Sequence, residues 1–254
     1  MALFKNSAKT PAMDKCDQVA FVLEPENGTL PLPICIEIPG GRAHEVIPAG
    51  VKLPYKTTQI FSTVDPYQLA AEFHLVAGTR PLVRDNIELG RVRIRDVKWA
   101  GAGKPKLEVS FAIAKDGMLT VNADNLDKKR TEMLAHVERS HVSAEEAAAA
   151  KTAAEAAAEH DQWMERCIDE MLVGYALMDA AYERYAVAKK KLNPMQSREY
   201  KQARRRLQKA LNVMPPEATP ETMAELNAAR EAFDAIYESH KPVYDAVMAW
   251  FDKQ

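Results

Sequence analysis

The sequence predicts an α+β protein: an antiparallel sandwich of short strands followed by a small bundle of long helices. Three observations carry this. Between residues 29 and 142, short stretches of alternating apolar and polar residues are broken by Gly, Pro, Asn and Asp, the pattern of half-buried strands joined by turns. From Ser143 onward, segments rich in Ala, Glu and Lys carry apolar residues at helical spacing. Strands gathered ahead of helices, rather than alternating with them, indicate α+β or two separate domains.

Residues 1–28 read as a flexible tail and linker, with turn chemistry in the run from Glu24 to Gly28. Strands are expected over 32–38, 42–47, 57–63, 69–76, 90–97, 106–114 and 117–124. In the first of these, Ile34, Ile36 and Ile38 fall on one face and Cys35 and Glu37 on the other, because successive side chains of a strand alternate. That strand runs into Pro39, Gly40 and Gly41. The clearest hairpin has Phe111 and Ile113 alternating, Asp116-Gly117 at the turn, and Leu119 and Val121 resuming the alternation.

The helical part opens at Ser143, with Glu146 in the position that completes a capping box. The helix that follows is rich in Ala, hence intrinsically helical, and short of apolar bulk, so it is exposed or covers its support thinly. Bulk returns as a stripe through Trp163, Met164, Ile168, Met171, Tyr175, Met178, Tyr182 and Tyr185. Asn193-Pro194 opens the next helix, with Pro at the first helical position, and Tyr200, Leu207 and Leu211 along it. Thr219-Pro220 opens the last, followed by Met223, Leu226, Phe233, Ile236 and Tyr237. Pro242 is expected to kink or interrupt that helix. The domains are therefore 1–28 as tail, 29–142 as the strand domain and 143–254 as the helical part.

Composition narrows the function classes. The chain has 254 residues, 47% hydrophobic and 28% charged, ordinary for a globular protein. A net charge of −2 gives no global reason to expect nucleic acid or an anionic membrane as partner. The basic runs Lys189 to Lys191 and Arg204 to Arg206 read as solvated helix faces. Cys16, Cys35 and Cys167 are too widely spaced for a disulfide framework or a zinc site, which fits a reducing, cytoplasmic setting. The N-terminus lacks the apolar stretch of a signal peptide, and no run approaches the ~18 apolar residues of a membrane span. No GxGxxG, P-loop, GxSxG or HExxH occurs, the six histidines are scattered, and glycine is scarce at ten. The expectation is no enzyme, with no catalytic residue, no metal and no cofactor.

An ordered set of motifs then carries a family resemblance. The pieces are PL...IE..GG at 31–41, Pro54, Q.FST at 59–63, Gly78 with Arg80, DN..LG at 85–90, and LEVSFAIAKDGMLTVNA from Leu107. Together they resemble the peptide-binding β-sandwich of DnaK-type, seventy-kilodalton heat-shock chaperones, from about residue 29 to 146. The helical part continues the resemblance more loosely, as a lid and bundle. The resemblance implies a groove in which an extended peptide is held by main-chain hydrogen bonds and one apolar side chain in a pocket. On matching positions the pocket is lined by Ile36, Phe61, Ala71, Phe73 and Leu107, while Ile38, Pro39 and Val64 arch over the peptide. Taken alone, Phe61 and Leu107 read as plain core.

The chain also departs from the family pattern. Pro39 stands where a large flexible residue is usual, Val64 where a small one is, Ala71 for a usual Val and Phe73 for a usual Ile. Ala102 occupies the place of a basic residue that latches the lid in some members. The expected function is a stand-alone chaperone module that binds extended apolar segments of unfolded proteins without ATPase activity of its own. Two alternatives stay open: a substrate-binding half acting in trans with a separate ATPase domain or co-chaperone, and an adaptor whose groove is vestigial. Homo-oligomers through exchange of tail and groove are a further expectation, with Leu3, Phe4, Val19, Phe21, Val22 and Leu23 as pseudo-substrates.

Overall fold

A computed structural model describes residues 11–63, 66–128, 131–213 and 218–251. It divides the chain into two compact units, Met1–Ala158 and Glu159–Gln254.

In the first unit the described residues form strands β1 (Asp14–Lys15), β2 (Val19–Leu23), β3 (Ile34–Ile38), β4 (Arg42–Ile47), β5 (Tyr55–Phe61), β6 (Ala70–Ala77), β7 (Ile87–Arg95), β8 (Leu107–Ile113), β9 (Met118–Asn125), β10 (Met133–Val137) and β11 (His141–Val142). They make two sheets, ordered β1-β10-β7-β6-β3-β4 and β11-β2-β9-β8-β5. Neighbours are antiparallel except β11 and β2, which are parallel. Alternation places Leu107, Val109, Phe111 and Ile113 of β8 inward, fully or almost fully buried. They share one core with Ile34 and Ile36 of β3, Leu75 of β6 and Val92 and Ile94 of β7, so both sheets feed the same apolar cluster. The α+β expectation therefore holds, and the hairpin around Gly117 forms with Ile113 opposite Leu119.

Residues 14–23 correct the reading of 1–28 as a flexible tail. Val19, Phe21 and Leu23 point into the core at 5%, 1% and 0% exposure, and β2 pairs with β9. Phe21 and Leu23 are structural and are not free to serve as pseudo-substrates; Leu3 and Phe4 lie outside the described residues.

Helix α1 (Ala144–Ala156) belongs to the first unit. Its capping box is formed: the backbone N–H of Glu146 donates to Ser143 Oγ at 3.2 Å, and that of Ser143 to Glu146 Oε2 at 2.9 Å. Ala147 is buried in the core and Ala150 packs against it, while most of the helix is exposed, the thin cover that an Ala-rich helix provides. The Ser143 N–H bond holds the Glu146 carboxyl below the ordinary glutamate range, with Arg139 adding to it. A lowered native value means a contribution present above the unfolded value and lost as the pH falls. The stability gap between wild type and Glu146→Gln, measured by denaturant unfolding, is expected at neutral pH and closes as the pH falls below the ordinary glutamate range.

The second unit holds most of α2 (Ala158–Ala188) and all of α3 (Pro194–Leu211) and α4 (Pro220–Phe251). The sequence predicts one continuous helix where α1 and α2 are separated at Ala157, and no helix-breaking residue stands there. Asn193 and Gln196 cap α3 reciprocally. Tyr200 stacks on Tyr185 with centroids 4.1 Å apart and tilts against Phe233 at 5.7 Å, joining α2, α3 and α4. Pro242 does not interrupt α4, which runs on to Phe251. Among the described residues no helix is long and apolar enough to cross a membrane.

Behind β3 a small second cluster packs Cys35 with Val76 and Val83. Burial pushes the Cys35 thiol up to about 12, with Glu45 adding to the shift. A raised thiol pKa leaves little thiolate at mildly alkaline pH. Burial raises the Cys16 and Cys167 thiols as well, so access decides the order: half-exposed Cys16 is expected to be alkylated by iodoacetamide well before buried Cys35 and Cys167. Mass spectrometry of the native and denatured protein checks the order.

Candidate peptide-binding site

The strand ending in Ile38 sets the site. β3 pairs with β6 over Ile34 and Ala77, Cys35 and Val76, and Ile36 and Leu75, and that ladder stops there. Both strands carry on past it: β3 reaches Ile38, and β6 begins at Ala70. On the other side β3 stays paired with β4 as far as Ile38 and Arg42. Pro39, Gly40 and Gly41 close this hairpin, and both glycines take positive φ, +95° and +69°, which a three-residue reversal requires and glycine adopts without a Cβ penalty. Ile38 and the first residues of β6 thus lie outside the β3–β6 ladder, a strand edge of the kind at which an extended chain finds main-chain partners.

Apolar side chains of both sheets pack together beneath these strands. Ile36, Phe73 and Leu107 are buried at 1%, 7% and 0% exposure. Ile38, Phe61 and Ala71 are half-buried and pack against the same cluster. Phe61 stands opposite Leu107 in the β5–β8 pair, and its ring lies 5.2 Å from that of Phe73 at 58°, a tilted geometry that aromatic pairs favour. Six of the eight residues named from sequence therefore belong to, or pack against, one core cluster. Pro39 is exposed at the hairpin tip and outside that cluster. Val64 lies outside the described residues.

The opposite face of the same strands keeps them aligned. His74 of β6 meets Glu37 Oε2 of β3 at 2.9 Å through Nδ1 and Glu88 Oε1 of β7 at 2.8 Å through Nε2. Glu72 binds Arg91 and Arg93 of β7. These bonds tie β3, β6 and β7 together beneath Ile38 and Phe73, at the level where the β3–β6 backbone ladder has ended.

Sequence reading passed over the two loops beside the pocket. Residues 62–69 join Phe61 to the start of β6, and residues 96–106 lead to Leu107. They are tied by Ser62 Oγ donating to Pro105 O at 2.7 Å, Gly103 N to Thr63 O at 3.0 Å, Tyr67 N to Ala100 O at 2.8 Å and Val97 N to Leu69 O at 3.0 Å. Two aromatics set in polar turn sequence, Tyr67 and Trp99, were the available signal. A cleft of about 600 Å³ between the β6–β7 connection and α1 lies elsewhere. Arg80 with Asp85 and Arg139 with Glu146 pair along its walls, so it shares no residue with the candidate site. Among the described residues no cluster of His, Cys, Asp and Glu is placed to hold a metal ion.

A family model described as Hsp70 protein matches residues 23–238. Chaperone protein DnaK of Thermoplasma volcanium is 32% identical over 141 residues, 56% of this chain and 23% of that protein. Chaperone protein DnaK of Thermoplasma acidophilum is 34% identical over 132 residues, 52% of this chain and 22% of that protein. The matched segment thus spans about a quarter of either relative. The match overturns the expectation of no enzyme, because members of the Hsp70 family are ATPases. That expectation rested on the lack of short nucleotide-binding and catalytic motifs, and family membership does not depend on those motifs.

Proposed function

The chain belongs to the Hsp70 family, and we propose that its strand unit is a peptide-binding sandwich, which holds an extended apolar segment of an unfolded protein in the opening between β3 and β6. The helices from Ser143 onward serve as lid and bundle in this reading. Clients are unfolded polypeptides, co-chaperones are the partners that family membership implies, and the setting is cytoplasmic. The carrying observation is the ladder that ends at Ile36 and Leu75 beside the half-exposed Ile38, Phe61 and Ala71.

Magnitudes indicate modest affinity. Burying one leucine side chain contributes ~1.5–3 kcal/mol, and each of a few backbone hydrogen bonds ~1 kcal/mol. Ordering the peptide and losing its free motion cost several kcal/mol. These gains are largely offset by the costs, so binding no tighter than roughly micromolar, about 8 kcal/mol, is expected. Fluorescence anisotropy of a labelled, leucine-containing extended peptide titrated with the whole chain tests this. Saturation in that range, competed by the unlabelled peptide and not by a polar one of equal length, is the expected result. Absence of saturable binding would overturn the reading.

A further inference from the structure

We propose that Tyr67 and Trp99, with Leu69, form a second anchor point for the bound peptide, so that the preferred substrates carry two apolar side chains, the second one aromatic. This inference rests on the peptide-binding reading above. Its ground is an exposed apolar patch built at the rim of the pocket: Tyr67, Leu69 and Trp99 are 54%, 60% and 67% exposed. The two rings lie 4.9 Å apart, tilted at 32° to one another. Exposed apolar patches of this kind mark binding surfaces.

Two further observations separate the patch from chance exposure. Tyr67 has φ of +62°, a region that bulky residues rarely enter, and such strain concentrates at ligand clamps. The Tyr67 N–H donates to Ala100 O, which ties its backbone to the loop that carries Trp99. The patch also adjoins the lining residues along the two loops, where Val97 N donates to Leu69 O at 3.0 Å. Leu69 and Tyr67 stand two and four residues before Ala71 on the loop that begins at Phe61. Four residues of chain reach at most ~13 Å, so a peptide anchored in the pocket meets the rings with a side chain no more than roughly four residues away. A flat aromatic face favours an aromatic occupant, through stacking added to burial.

The experiment compares two labelled extended peptides on the whole chain: one with a single leucine in a polar background, the other with an added phenylalanine three or four residues from it on either side. The two-anchor peptide is expected to bind about tenfold more tightly. Trp99→Ala, at an exposed loop position, brings that peptide down to the one-anchor value, and Trp99→Phe restores most of the difference. Equal binding of both peptides to wild type would overturn the second anchor while leaving the groove intact. Failure of both peptides to bind would remove the groove reading and this inference together. A change in sedimentation on Trp99→Ala, with the two-anchor preference unaltered, would assign the rings to self-association and overturn the proposal.

Discussion

Gly117→Ala is expected to destabilise the strand unit by ~3 kcal/mol or more, through local strain and a backbone collision acting together. Gly117 has φ of +84°, and a Cβ built on it would sit 1.9 Å from the carbonyl oxygen of Leu23 and 3.0 Å from Pro25 Cδ. Leu23 is the last residue of β2, and its N–H donates to Gly117 O at 2.9 Å. The new methyl group therefore has no flexible side chain to push aside. Either β2 shifts off the β8–β9 hairpin, uncovering Phe21 and Leu23, or the turn distorts and gives up its bond to Ala114. Gly41→Ala supplies the comparison: its φ is +69°, but nothing stands within 4 Å of the built Cβ, so it carries only the conformational cost, ~1–2 kcal/mol. Urea unfolding of both variants separates strain from collision. Equal losses would mean that β2 does not pack against the turn.

The same glycine shows what sequence patterning captures. Asp116-Gly117 between alternating apolar residues is a local signal, and the hairpin forms where it indicates. Strands β3 to β9 likewise begin and end within a few residues of the expected stretches, because each alternates or ends in turn chemistry. β2 escaped because Ala20 and Val22 interleave with Val19, Phe21 and Leu23, which blurs the alternation, and because the partner that fixes it is far away in sequence. β10 escaped for a related reason: Met133, Leu134 and Ala135 are buried in succession, so no period of two is visible. The break at Ala157 has no sequence mark at all.

For the site, the motif-bearing residues Ile36, Ile38, Phe61, Ala71, Phe73 and Leu107 were legible by family resemblance. Their separation into a buried floor and a half-exposed rim was not, since strand periodicity places all of them inward alike. Where a ladder stops is a property of two strands together, and neither β3 nor β6 announces it. Tyr67 and Trp99 lay in loop sequence, where exposure of an aromatic is not readable from spacing.

The largest expected effect on binding comes from filling the opening. Ala71 is the smallest of the lining residues, sits on β6 opposite Ile94 of β7, and is half-exposed. Ala71→Trp places an indole in the space that a peptide side chain would occupy, without burying a charge and without removing any apolar contact of the core. The competing side chain then loses its burial, ~1.5–3 kcal/mol, which converts to a loss of roughly 10- to 100-fold in affinity. Stability should change little, because the added ring rests on a surface already lined by Phe61 and Phe73 and needs no core atom to move. Thermal melting by circular dichroism and peptide anisotropy on the same sample check the two halves of this expectation. Phe73→Asp makes a poorer test, since Phe73 is buried and an unpaired carboxylate there threatens the fold as well as the groove. An Ala71→Trp protein that melts normally and still binds the leucine peptide as tightly as wild type would place the peptide elsewhere. The ends of β3 and β6 would then be a gap in the sheet with no ligand to fill it.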